Sequence, residues 1–81
     1  MPDLVLYHKP SCPFCAKVRE YMKSESIDIP LKDISASSED REELINIGGK
    51  QQVPCLVIDG KALYESDDII NWLKENYNRQ L

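Results

Sequence analysis

Cys12 and Cys15 are separated by two residues, Pro13 and Phe14, and that spacing at a helix start suits thiol–disulfide chemistry. One turn of helix brings the two sulfurs within disulfide reach. Cys12 follows a short apolar run and precedes an amphipathic one, which places it at the helix N-cap. Pro13 suits the first helical position, because its missing N–H has no intrahelical partner to lose and its φ is already helical. A thiol attacks a disulfide only as thiolate, and an ordinary cysteine with a pKa of about 8.5 is mostly protonated at neutral pH. Cys12 has three aids to ionisation: the free N–H groups of Phe14 and Cys15, the helix dipole, and Lys9 close by in sequence. Its pKa should be depressed. Cys15, inside the first turn, should be less exposed and less ionised, which suits a resolving thiol that acts second.

The elements that must hold these residues follow from periodicity. Leu4-Val5-Leu6-Tyr7 is an unbroken apolar run, as expected of a central strand covered on both faces. From Pro13 to about Ser26, Phe14, Val18, Tyr21 and Met22 recur at helical spacing, with Lys17, Arg19, Glu20 and Lys23 on the other face. Ile27, Ile29 and Leu31 alternate with Asp28, Pro30 and Lys32, a half-buried strand that Pro30 confines to a sheet edge. These three make a βαβ unit with parallel strands and a right-handed crossover. Ser35 to Ser38 supply candidate N-caps for a second helix that opens on acids, has Leu44, Ile45 and Ile47 on its apolar face, and ends at Gly48-Gly49. Cys55–Ile58 and Lys61–Tyr64 flank Asp59-Gly60, a strong hairpin signal, so these two strands are antiparallel. A last helix takes Ser66 as N-cap, Asp67 and Asp68 in its first turn, and Ile69, Ile70, Leu73 and Tyr77 on its buried side, ending near Asn78.

With 81 residues the chain has room for one domain, residues 1–81, with a modest core. A net charge of -4 leaves no basic footprint for nucleic acid or an acidic membrane surface. No stretch approaches a membrane span and no leader pattern opens the chain, so a cytoplasmic protein is expected. Three cysteines without an export signal suit reactive thiols in a reducing compartment. Zinc is a poorly supplied alternative for the pair, since only Cys55 and His8 are left as ligands. Cys55 reads as a small buried hydrophobe, and His8 as a surface residue. Trp72 and Tyr77 read as packing the last helix onto the sheet.

The order βαβ, helix, ββ, helix, with CxxC after the first strand, resembles the thioredoxin fold, and its details resemble the glutaredoxin family. Lys9 ahead of Cys12-Pro13-Phe14-Cys15, and Val53-Pro54 ahead of the third strand, carry that resemblance across nearly the whole chain. Ser66-Asp67-Asp68 is a weaker match: glycines common just before it in the family are replaced here by Tyr64-Glu65, and that block also resembles the N-terminal domain of glutathione transferases. Phe14 stands where tyrosine is most common. The resemblance implies an α/β thioredoxin-like fold, β-α-β-α-β-β-α, with a four-stranded mixed sheet flanked by three helices. It also implies a cis Val53-Pro54 peptide facing the cysteines.

The activity implied is glutathione-dependent reduction of protein–glutathione mixed disulfides and protein disulfides, with Cys12 as nucleophile and Cys15 as resolving thiol. Glutathione is then the co-substrate, no cofactor is bound, and the protein acts as a monomer. The implied glutathione site comprises Lys9, Phe14, Gln52, Val53, Pro54, Ser66 and Asp67. Val53 would pair with the tripeptide backbone as an added strand, Ser66 and Asp67 would hold the γ-glutamyl end, and Lys9, with Gln52 or Arg41, the glycyl carboxylate. Two rivals stay open: a small redoxin reduced by a flavoprotein reductase, and a glutathione-ligated [2Fe-2S] carrier, which in the family usually goes with glycine rather than Pro13.

Overall fold

The computed structural model describes residues 3–76. The elements run β1 (Leu4–His8), α1 (Pro13–Ser24), β2 (Leu31–Asp33), α2 (Ser38–Gly48), β3 (Cys55–Ile58), β4 (Lys61–Tyr64) and α3 (Ser66–Asn76). One sheet carries all four strands in the order β2-β1-β3-β4. β1 pairs in parallel with β2, bringing Leu6 opposite Leu31, and antiparallel with β3, bringing Leu6 opposite Leu56.

Alternation within β1 and β3 divides the core between the two faces of the sheet. Leu4, Leu6 and Leu56 pack against Val18 and Met22 of α1 and Ile69 and Leu73 of α3. Tyr7, Cys55 and Val57 point the other way, onto Leu44 of α2 and Ile34. Both faces are covered, which is why β1 reads as a continuous apolar run. Trp72 packs against the first of these cores, as expected; Tyr77 and the expected helix end near Asn78 lie outside the described residues.

Local chemistry accounts for the turns. Asp59 and Gly60 have φ of 51° and 84°, both positive, as a tight hairpin twisted like its strands requires. Gly49 caps α2 in the left-handed conformation, its N–H bonded to the Ile45 carbonyl at 2.7 Å. Gly48 has a different role: a Cβ there would lie 1.8 Å from the Tyr64 hydroxyl, so its small size lets α2 approach β4.

Several expectations are corrected. The second strand is Leu31–Asp33 rather than the whole alternating segment from Ile27. Ile27 and Ile29 are buried before the strand begins, while Leu31, on the edge strand, is 45% exposed. Helix α1 ends at Ser24, and Ser26 already has φ 56°. On α2 only Leu44 is buried; Ile45 and Ile47 are both exposed. The helix lies on the sheet along a narrow stripe, and adjacent isoleucines fall outside it. Phe14 is also no core residue, being 62% exposed.

Candidate active site

Cys12 is the N-cap of α1, with extended backbone (φ −83°, ψ 119°) and a sulfur that accepts the Cys15 N–H at 3.3 Å. This is the capping geometry that serines use elsewhere, here carried out by sulfur. The chain reaches that position through a turn in which the Cys12 N–H donates to the Lys9 carbonyl at 3.2 Å. Across from it the Val53-Pro54 peptide is cis, and the Cys12 thiol points at the Val53 carbonyl, 3.9 Å away. Val53 N–H has no hydrogen-bond partner among the described residues.

The two thiols differ in their ionisation. Partial burial is the largest single influence on Cys12 and pushes its pKa up. Hydrogen bonds from the Cys15 thiol and from the N–H groups of Cys15 and Phe14, together with the Arg19 charge, outweigh it, and the pKa is lowered from its ordinary value. Arg19, which the sequence reading did not single out, is the cation among these influences. Cys15 is fully buried, and its thiol is pushed up to about 12, first by burial and then by the hydrogen bond and charge of Cys12. Two of those upward influences come from Cys12 itself, so they weaken once the Cys12 sulfur is locked in a mixed disulfide.

Beside the cysteines lies a pocket of about 380 Å³ lined by Phe14, Lys17, Gln52, Val53, Pro54, Glu65, Ser66 and Asp67. The structure thus brings together all the predicted ligand residues except Lys9, which does not line the pocket. Arg41, on α2, does not line it either. Ser66 is the first residue of α3 rather than its N-cap: the Glu65 carbonyl accepts the Ile69 N–H at 3.0 Å. Glu65 holds φ 73°, a left-handed conformation costing a non-glycine residue about 1–2 kcal/mol, at one of the positions where the resembled family often has glycine.

Sequence reasoning missed three members of this neighbourhood. Lys17, read as part of the polar face of α1, forms an ion pair with Asp67 across the mouth of the pocket. It stands three residues after Phe14, so the two share a helix face. Glu65 accepts a hydrogen bond from the Gln52 amide at 3.3 Å. His8, expected at the surface, is 9% exposed, with its Nδ1 3.0 Å from an Arg19 guanidinium nitrogen. Burial, then the Arg19 charge, hold its pKa below 6.5.

A mixed sheet with helices on both faces, and a thiol at a helix N-terminus opposite a cis-proline, define a thiol–disulfide oxidoreductase of the thioredoxin fold. Residues 6–80 match the model for the glutathione S-transferase N-terminal domain. An uncharacterised glutaredoxin-like 8.6 kDa protein in a rubredoxin operon of Clostridium pasteurianum is 34% identical over 72% of this chain and 77% of its own. Glutaredoxin 3 of Escherichia coli is 28% identical over 85% of this chain and 83% of its own. The crystal structure of a thioredoxin-like protein covers 89% of this chain and 96% of its own, with a TM-score of 0.75 and 25% identity. The chain belongs to the glutaredoxin family and carries the domain that the transferase model describes.

Proposed function

We propose that this oxidoreductase depends on glutathione and reduces protein–glutathione mixed disulfides and protein disulfides. The observation that carries this reading is the pocket that runs from the Val53-Pro54 peptide beside Cys12 to the start of α3. Its shape and chemistry suit an extended γ-glutamyl tripeptide. The unpaired Val53 N–H suits a strand-like pairing with the tripeptide backbone. The N-terminus of α3, with Ser66 and Asp67, suits the γ-glutamyl carboxylate and ammonium, and Gln52 the glycyl carboxylate, with Lys9 outside the pocket wall as a further cation for it. No bound cofactor is needed.

In the proposed reaction the Cys12 thiolate attacks the glutathione sulfur of a glutathionylated protein, the protein thiolate leaves, and glutathione remains on Cys12. A second glutathione thiolate attacks that disulfide, releasing oxidised glutathione and the Cys12 thiolate. With a protein disulfide, Cys12 forms the mixed disulfide and Cys15 attacks the Cys12 sulfur, releasing the protein thiol. The resulting Cys12–Cys15 disulfide is reduced by two glutathiones.

A second reading, a redoxin reduced by a flavoprotein reductase, draws on two observations. Lys17 already occupies the Asp67 carboxylate, and a relative lies in a rubredoxin operon. One assay separates the two. Reduction of a small glutathione mixed disulfide is followed with glutathione and glutathione reductase, then with a flavoprotein thioredoxin reductase in their place. Turnover is expected in the first system; turnover confined to the second would replace glutathione with the reductase as electron source.

A further inference from the structure

We propose that Arg19 is a positioning residue of the dithiol centre, its guanidinium pinned between the His8 ring and the Lys9 carbonyl so that a fixed cation faces the Cys12 thiolate. One Arg19 guanidinium nitrogen lies 3.0 Å from His8 Nδ1 and donates to the Lys9 carbonyl at 3.3 Å. The same carbonyl accepts the Cys12 N–H at 3.2 Å. Arg19 is thereby tied through a single peptide oxygen to the residue that bears the reactive sulfur. Its other anchor is stationary: His8 ends β1, is buried, and offers its own carbonyl to the Ile34 N–H at 3.0 Å.

The chemistry of the contact sets its direction. Arginine can only donate, so Nδ1 of His8 must present a lone pair and the ring must be neutral, with its proton on Nε2. That tautomer follows from the hydrogen-bond network. A guanidinium stays charged at every physiological pH, so unlike a histidine or lysine partner it gives the thiolate a counter-charge that does not titrate. The charge reaches both sulfurs, drawing the pKa of Cys12 and of Cys15 downward.

A cation favours the thiolate over the uncharged disulfide, so Arg19 should also poise the centre toward its reduced form. A purely structural Arg19 would change stability alone. The inference rests on Cys12 being the reactive thiol and is independent of which reductant serves it.

The test is the pH dependence of Cys12 alkylation by iodoacetamide, followed by mass spectrometry, in the reduced parent protein and in Arg19→Gln, Arg19→Met and Arg19→Lys. Circular dichroism establishes which variants fold, and either neutral variant suffices. The Cys12 midpoint should rise by about half to one pH unit in the neutral variants and stay close to the parent in Arg19→Lys. The dithiol–disulfide equilibrium against glutathione should move toward the disulfide by about three- to tenfold in the neutral variants, or about 15–30 mV. A folded neutral variant with the parent midpoint overturns the proposal. So does an Arg19→Lys midpoint that shifts as far as the neutral ones, because the charge would then be irrelevant. If the parent midpoint is already that of a free cysteine, the assignment of Cys12 as nucleophile fails instead.

Discussion

The chain's three cysteines have one side chain and three environments. Cys12 is half-exposed and held by donors that favour its anion. Cys15 is buried and pushed up to about 12. Cys55 is fully buried within the sheet and pushed up to about 11, by burial above all, against a smaller downward pull from hydrogen bonds to Leu63 and Tyr64. At pH 7, brief treatment of the reduced native protein with iodoacetamide should therefore modify Cys12 alone, and peptide mapping should find Cys15 and Cys55 labelled only after denaturation. Because the Cys12 pKa is lowered, its thiolate persists to lower pH than that of an ordinary cysteine and is lost as pH falls through the lowered value. Alkylation should follow the same curve. The motif and the unequal settings of its two thiols were legible in the residues, since Cys12 falls at a helix start and Cys15 inside its first turn. The cation was not. Lys9 is close to Cys12 along the chain, but Arg19 stands four residues after Cys15, one helical turn along the inner face, and only the fold reveals that β1 ends with His8 beneath it.

At the scale of elements, the strong local signals in the sequence match the structure and the weak ones do not. Asp59-Gly60 dictates its hairpin because two consecutive positive φ values admit few other residue pairs. The segment from Ile27 looks like a longer strand because alternation alone cannot tell a ladder from an extended approach to one; the ladder begins after Pro30, which has no N–H to give it. Ile45 and Ile47 misled for a related reason: an apolar residue on a short helix need not face the core. Gly48-Gly49 was read as a single stop signal, yet only Gly49 is left-handed. Gly48 is required because any Cβ there would fall 1.8 Å from the Tyr64 hydroxyl. Replacing it with alanine should displace Tyr64, break its hydrogen bond to the Lys50 carbonyl, and destabilise the fold by about 1–3 kcal/mol in urea denaturation. An unchanged midpoint would mean that α2 and β4 separate freely, against the packing described above.

Across the whole molecule, the sheet separates two tasks. One face packs α1 and α3 side by side, so that both N-termini end near the same pocket; the other carries α2 and holds the strands in register. The βαβ unit, the hairpin and the closing helix were readable from element order, whereas their assembly into one four-stranded sheet was implied by family resemblance. The pocket was readable only through family resemblance, since its walls come from the start of α1, the loop before β3 and the start of α3, which sequence spacing does not relate. Lys17–Asp67 and Gln52–Glu65 then emerge from the three-dimensional arrangement.

The most direct measurement is glutathione mixed-disulfide reduction, with glutathione and glutathione reductase, by the parent protein, Cys12→Ser and Cys15→Ser. A nucleophile at the start of α1 with a buried second thiol predicts that Cys12→Ser abolishes turnover, while Cys15→Ser retains it, since that route needs only one cysteine. Turnover that survives in Cys12→Ser would contradict the assignment of Cys12 as the attacking thiol.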